Sequence, residues 1–554
     1  MNRSIGLRAL AAIAAGLALG VASCNVVTKI MSTGGEQTLK PPVVARVPGP
    51  RMIIFALDGA GYNQFMAAVH SGKAPNIAGV LGAETSGGLF AHAYSAPHAL
   101  TMLPSSTIAD WTAVMTGDPP AWDGVTGDEW FERDKREFFA PVPISIGETG
   151  DLDDAIVNDL VGKAIEVPTL YELLGVDTNV SLLLVYRGAT LYTTVEPSAF
   201  TGLMAQLIEG KMVGESAEKS LSASIDLASV RTLISAIEQH GVPDLQVVYF
   251  PGVDSFTHTS RNPLEAQTEF IERVSDAGVG QVLDEYRKKG ALDGTYIMFI
   301  ADHGHTPTID DHAHALGAEG SGTPFAVVND VGFRVRKAKL ALTDSEQDYQ
   351  AVLAYQGFMA YIYLADRTTC ASRGERCDWS RPPNFEEDVM PVVRAFYKVN
   401  RTGRPYPRLK GTIDLIFARM PVAHGAAAVP FEIYDGRRLV PIRDYLARHP
   451  RPDLIELDRR MRWLGAGPYG NRAGDIVLLA RTGADVPIER RYYFAVTPHY
   501  SWHGSAGELD SHIPFILAQE GGKGEKMRAI VRKATGGAIY EKDLTPVVRA
   551  VFGR

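Results

Sequence analysis

Three apolar runs in this chain lead, within a few residues, to a carboxylate: Met52 to Leu57 ends at Asp58, Val247 to Phe250 passes through Pro251-Gly252-Val253 to Asp254, and Tyr296 to Ile300 passes through Ala301 to Asp302. Short uninterrupted apolar runs bounded by turn residues read as strands buried on both faces, the pattern of a parallel sheet covered by helices. Val180 to Val185 reads as another such strand. Between the second and third runs, Pro263 to Lys289 carries Phe270, Ile271, Val274, Val282, Leu283 and Tyr286 at helical spacing, as a crossover between parallel strands requires. In open α/β sheets ligands bind outside the carboxyl ends of the strands, so the three aspartates are expected to meet in one crevice. A chain of 554 residues, 45% hydrophobic and 21% charged, can bury a core of that size in one large domain with insertions, or in two domains.

The residues at these endings are metal-ligand types. Asp254-Ser-Phe-Thr-His258 presents a carboxylate and an imidazole on one loop, and Asp302-His303 does the same at the next strand end. Mixed oxygen and nitrogen donors of this kind suit zinc or a similar first-row dication. Each pair alone is commonplace as a helix cap or a solvated loop; with Asp58 after a third strand, coincidence loses ground. Between the first two endings, Pro104 to Ser106 forms a turn and Thr107 to Thr116 a helical pattern stopped by Gly117. A hydroxyl at a helix N-terminus is well placed beside a phosphate, although capping the helix is the ordinary use of such a residue. The net charge of -9 and the lack of a sustained Lys/Arg cluster exclude a polyanion-coating surface, so no nucleic-acid polymer is expected as partner.

In this order, Phe-Ala-Leu-Asp58-Gly, the Thr107 helix closing in Thr116-Gly117, Asp254-x-x-x-His258, Ala-Asp302-His303-Gly304 and the late His503-Gly504 resemble the type I phosphodiesterase and nucleotide pyrophosphatase branch of the alkaline phosphatase superfamily. The resemblance runs from Arg51 to about Leu517 and is interrupted in between. It implies an α/β fold, with a mostly parallel sheet sandwiched by helices and an inserted cap. It also implies two divalent ions, zinc by donor chemistry. Asp254, His258 and His503 would hold one, and Asp58, Asp302, His303 and the nucleophile Thr107 the other. Attack by Thr107 would pass through a phosphothreonine. His499, His512 and His424 compete with His503, while His305, Asp311, His312 and His314 are expected as supporting or loop residues.

Two positions depart from the family pattern. Asp128 stands where relatives place an asparagine that donates to a phosphoryl oxygen; a carboxylate cannot donate unless protonated, so Asp128 is expected to hold another ion or a substrate amine or hydroxyl, or to point away. In Leu183 to Ala189, where phosphomonoesterases of the superfamily carry Lys-x-Arg, the lysine slot is Val185 and Arg187 alone remains, either to grip a phosphate oxygen or as a surface residue. Losing one cation weakens the case for a dianionic monoester. The expected activity is therefore phosphodiester or pyrophosphate hydrolysis with Thr107, Asp128 and Arg187 in catalytic roles. Phosphomonoesterase and a metal-binding pseudo-enzyme are the alternatives. A sulfatase is disfavoured because no Pro and Arg follow Ser105, Ser106 or Thr107 in the needed spacing.

Arg3 and Arg8 precede an Ala-rich run to Ala22, too short to span a bilayer, which ends in Val21-Ala22-Ser23-Cys24 and resembles the bacterial lipobox. Cys24 is then expected to carry a lipid anchor, on the periplasmic side and with the outer membrane favoured, since Asn25 lacks the aspartate of inner-membrane retention. An ordinary signal peptide containing a cysteine is the alternative. Cys370 and Cys377, close together in a Gly- and Arg-containing loop, are expected to pair as a disulfide. The resulting organisation is a signal over 1–23, a linker over 24–50, a catalytic domain over 51–331 and 471–554, and a cap over 332–470. Gly474 to Leu479 and Ile513 to Leu517 are expected back in the catalytic sheet.

Overall fold

The computed structural model describes residues 35–41, 49–146, 151–195, 215–423 and 425–554, and its strands form two large sheets and smaller pairs. Cys24 and His424 lie outside the described residues. The larger sheet has ten strands, in the spatial order Glu36–Thr38, Leu191–Thr193, Thr178–Ser181, Leu245–Phe250, Met52–Leu57, Tyr296–Ile300, Phe515–Gln519, Ala93–Ser95, Leu89–Phe90 and Glu84–Ser86. From Leu191–Thr193 to Tyr296–Ile300 all neighbours are parallel; beyond Tyr296–Ile300, and at Glu36–Thr38, they are antiparallel. The sheet is thus mixed, and its parallel part holds the three strands that lead to aspartates.

Met52–Leu57 lies in the middle with every residue buried, and its neighbours register Phe55 beside Val248 and Phe299. Phe55 stacks on Phe299 at a ring separation of 5.3 Å. The crossover forms as the helical spacing predicts: Pro263–Phe270, a π-helical turn at Ile271–Ser275 and Asp276–Lys288 bury Phe270, Ile271, Val274, Val282, Leu283 and Tyr286 against this sheet. The run from Val180 behaves differently. Its strand stops at Ser181 because Leu182 takes a left-handed φ of 62°, which no strand accommodates, so Leu183 to Arg187 becomes a turn.

The second sheet is antiparallel and six-stranded, in the order Ala351–Gln356, Met359–Leu364, Ile476–Ala480, Ile413–Ala418, Glu432–Tyr434 and Leu439–Pro441. This corrects two expectations. Ile476–Ala480 does not return to the catalytic sheet but lies inside the cap sheet, and a boundary at residue 470 cuts the cap in two. The reason is physical: a wholly apolar strand is buried on both faces in either sheet, and its sequence carries no address. The strand alternates as a two-sided strand must. Ile476, Leu478 and Ala480 join one core, under Val392, Val393, Phe396 and Val399 of helix Met390–Thr402. Val477 and Leu479 join the other, with Leu457, Met461 and Leu464 of helix Leu457–Gly465. A disulfide between Cys370 and Cys377 closes a short loop of this cap.

Candidate active site

Several elements, distant in sequence, deliver the ligand-type side chains. Asp58 follows strand Met52–Leu57, and Asp302 and His303 follow Tyr296–Ile300. Asp254 and His258 sit one turn apart on helix Gly252–Thr259 and not on a loop, so the i, i+4 spacing puts both on one face. His503 arrives from near the end of the chain because Ser501–Trp502 pairs antiparallel with Thr306–Pro307, which sets the residues after Trp502 beside those before Thr306. Thr107 is the first residue of helix Thr107–Thr116. Gly59 makes the close approach possible: its φ is +67°, and a Cβ there would lie 2.6 Å from His305 Nε2 and 2.9 Å from Asp254 Cβ.

The separations within the cluster are those of ligands around shared ions. His303 Nε2 lies 3.4 Å from Asp302 Oδ2, 3.6 Å from Asp58 Oδ1 and 3.3 Å from Thr107 Oγ1. Asp254 Oδ1 lies 3.3 Å from His258 Nε2 and 3.7 Å from His503 Nε2. Donors about 2.0–2.1 Å from a tetrahedral zinc stand roughly 3.3 Å apart. Three groups draw their atoms together in this way: Asp58 with Asp302 and His303, Asp254 with His303 and His503, and Asp254 with His258 and His305. Asp58 Oδ1, Asp302 Oδ2 and Asp254 Oδ1 are buried without a hydrogen-bond partner, which is costly unless a cation satisfies them.

The surroundings prepare these donors. His258 Nδ1 faces the Ser501 carbonyl at 2.7 Å, His503 Nδ1 the Ser105 carbonyl at 2.9 Å and His303 Nδ1 the Gly304 carbonyl at 3.2 Å, so in each ring the proton belongs on Nδ1 and the Nε2 lone pair turns inward. Burial lowers the pKa of His303 to about 3 and holds His503 well below the ordinary histidine value, keeping both neutral. Burial, then the Asp254 charge, drives Asp58 far up; burial and Asp58 do the same to Asp302. Burial also opposes charge on Asp254, but His258 and His305 outweigh it and hold that carboxyl well below the usual range. A dication between such carboxylates removes the repulsion. The residues present therefore fit bound metal; Asp58, Asp302 and His303 gather as one group, whereas Asp254 is shared between His258 with His305 and His303 with His503.

Of the competing histidines, His499 packs against His258 at 5.3 Å between rings, and His512 faces His98. His305 comes closer than expected, with Nε2 only 2.9 Å from Asp254 Oδ1. Its position two residues after His303 was the available signal. Tyr249, whose hydroxyl donates to Asp58, had none, because a tyrosine in a buried strand is ordinary. Asp128 lies at the start of helix Thr107–Thr116: Oδ1 accepts the Ile108 N–H at 2.8 Å, while Oδ2 is buried and unpartnered. Arg187 does not serve as a phosphate ligand in this arrangement. Nη1 donates to the carbonyls of Gly162 and Ile165, Nη2 to Val167 and Glu172, and Nε to Glu172 at 3.3 Å, which uses all five N–H groups. The turn forced by Leu182 is what aims it there.

Residues 52–318 match the family of type I phosphodiesterases and nucleotide pyrophosphatases. The match covers 267 of the chain's 554 residues. Wild-type alkaline phosphatase PafA shares its fold, with a TM-score of 0.53 at 13% identity over 92% of this chain and 97% of that one. Murine ectonucleotide pyrophosphatase/phosphodiesterase 5 is similar at a TM-score of 0.48 and 11% identity, over 91% of this chain and 95% of that one. No curated protein sequence matches the chain.

Proposed function

We propose that this chain is a member of the alkaline phosphatase superfamily, a two-metal phosphodiesterase that works through a phosphothreonine on Thr107. The observation that carries the reading is the placement of Thr107 Oγ1 at the start of a helix, 3.3 Å from His303 Nε2 and at the edge of the Asp58, Asp302 and His303 group. Asp58, Asp302 and His303 would hold one ion together with Thr107, and Asp254, His258 and His503 the other. Bound there, zinc supplies Lewis acidity that favours the alkoxide of a hydroxyl and neutralises developing charge. The Thr107 oxygen attacks phosphorus as one ester alcohol leaves, taking up the proton that the hydroxyl gives up; water then cleaves the phosphothreonine, releasing the monoester and restoring the Thr107 hydroxyl. His258, His303 and His503, each locked by a carbonyl on Nδ1, keep their donors aimed.

The charge inventory supports a diester over a monoester. Val185 occupies the lysine slot, Arg187 is committed to carbonyls and Glu172, and Asp128 adds a carboxyl beside Thr107. A monoanionic diester asks less of such a site than a dianion does. Turnover of bis(p-nitrophenyl) phosphate and of p-nitrophenyl phosphate by the mature chain, with and without 1,10-phenanthroline, tests the reading. The diester should be preferred, the chelator should stop turnover, and Thr107→Ala should cost roughly a thousandfold or more in kcat and abolish acid-stable phosphothreonine. Chelator-insensitive turnover or an active Thr107→Ala enzyme overturns it, while a monoester preference points to a phosphomonoesterase. The Val21 to Cys24 segment further supports a lipid-anchored periplasmic protein, and Cys24→Ala should abolish labelling by palmitate in a bacterial host.

A further inference from the structure

The hairpin of Ala351–Gln356 and Met359–Leu364 carries its tip out of the cap sheet and onto two loops of the catalytic domain. Gln356 is fully buried there. Its Oε1 accepts the Asp128 N–H at 2.7 Å and its Nε2 donates to the Glu129 carbonyl at 2.5 Å. Glu129 returns the grip, accepting the Tyr355 N–H at 3.1 Å on one oxygen and the N–H groups of Ile144 and Ser145 on the other. On its far side the tip meets the His503 loop: Phe358 N–H donates to the His503 carbonyl at 2.9 Å. Gly357, at φ +63°, approaches that carbonyl so closely that a Cβ would stand 2.2 Å from it.

Both loops lead on to the nucleophile. Asp128 Oδ1 holds the Ile108 N–H, and His503 Nδ1 holds the Ser105 carbonyl, with Gly504 N–H on Ser105 Oγ at 3.1 Å. The circuit runs from the hairpin tip through Asp128 to Ile108, back along Thr107 and Ser106 to Ser105, and through His503 to the tip again. Thr107 lies on the short arc between the two anchors.

We propose that Gln356 is a positioning residue that acts from the cap, fixing the Asp128 loop, and through it the first turn of the Thr107 helix, relative to His503. The inference rests on the reading of Thr107 as nucleophile. A glutamine suits the task because one planar amide both accepts from and donates to a peptide; an ionised glutamate cannot donate, and methionine of similar length does neither usefully. An error of about 1 Å in the placement of a reacting group can cost on the order of a hundredfold in rate.

The test compares the zinc-loaded mature protein with Gln356→Met and Gln356→Glu, by bis(p-nitrophenyl) phosphate kinetics, zinc content and hydrogen exchange read by mass spectrometry. Both variants should lose roughly 10- to 100-fold in kcat with KM changed by less than about threefold. Zinc per chain should be unaltered, and exchange should quicken in peptides covering 105–116 and 127–130 but not in the cap strand Ile413–Ala418. Wild-type kcat in a variant whose 127–130 peptide has loosened overturns the proposal, as does a rate loss matched by zinc loss. If Gln356→Met fails to fold, Gln356→Glu, which keeps the acceptor for the Asp128 N–H, decides. If the wild type hydrolyses no phosphoester, the Thr107 reading falls; exchange at 105–116 then decides by itself whether Gln356 holds that helix, and unchanged exchange there overturns the clamp.

Discussion

Asp128 divides its two oxygens between structure and chemistry. One caps Ile108, and the other is bare beside the metal-ligand cluster, with burial, opposed by the Ile108 N–H, raising the carboxyl to about 7. Asp128→Asn keeps the cap, removes a negative charge and puts an N–H₂ donor where the bare oxygen stands. The ratio of monoester to diester kcat/KM should therefore rise, by about tenfold for each 1.4 kcal/mol gained; an unchanged ratio would mean that this oxygen does not face substrate. Arg187 makes the opposite prediction. Arg187→Gln should lower stability by about 2 kcal/mol through lost charged hydrogen bonds, read as a denaturation midpoint, and leave kcat/KM within about twofold. Asp58, Asp254, His258, Asp302 and His303 were legible because ligand residue types recur after strands. The fate of Arg187 was not, since Leu182 carries no mark of a left-handed φ.

At the scale of elements, helix Thr107–Thr116 is held from behind by a buried acid pair. Asp110 faces Glu541, whose Oε1 accepts the Met102 N–H at 2.7 Å. Burial, then their mutual repulsion, raises Asp110, and burial raises Glu541 to about 8. Below the ordinary glutamate value of about 4.3 both the folded and unfolded chains are protonated. As pH climbs from there through about 8, the unfolded chain ionises while the folded one keeps its proton, so stability is lost with rising pH. Melting temperatures should thus fall more steeply for the wild type than for Glu541→Gln between pH 6 and 9, a divergence of roughly 3 °C or more; parallel curves would remove the pair from the helix's support. The same helix shows why motif order is informative: a turn, a hydroxyl and a closing Gly117 were readable, whereas the partner Glu541 lies more than four hundred residues away.

Across the whole molecule, the catalytic sheet and the cap sheet meet at the site, and the ions would bind charge that folding alone leaves unpaired. Removing them should lower the melting temperature by several degrees, because a ligand that binds only the folded chain stabilises it by about 2.7 kcal/mol at a hundred times its Kd. A scan with and without chelator checks this, and the loss should be reversed by added zinc; equal melting would show that the carboxylates are satisfied otherwise. The sequence by itself determined the α/β character, the crossover helix, and the aspartates and histidines that gather at the strand ends, because hydrophobic periodicity and local residue order are properties of neighbours along the chain. Tertiary structure alone decided that Ile476–Ala480 belongs to the cap, that Arg187 is spent on carbonyls and Glu172, that His305 leans on Asp254, and that a glutamine at a hairpin tip reaches the loop of Asp128, whose carboxylate holds helix Thr107–Thr116. Each of these depends on which distant surfaces pack together, and a buried apolar strand, an arginine or a glutamine has the same sequence whichever partner it meets.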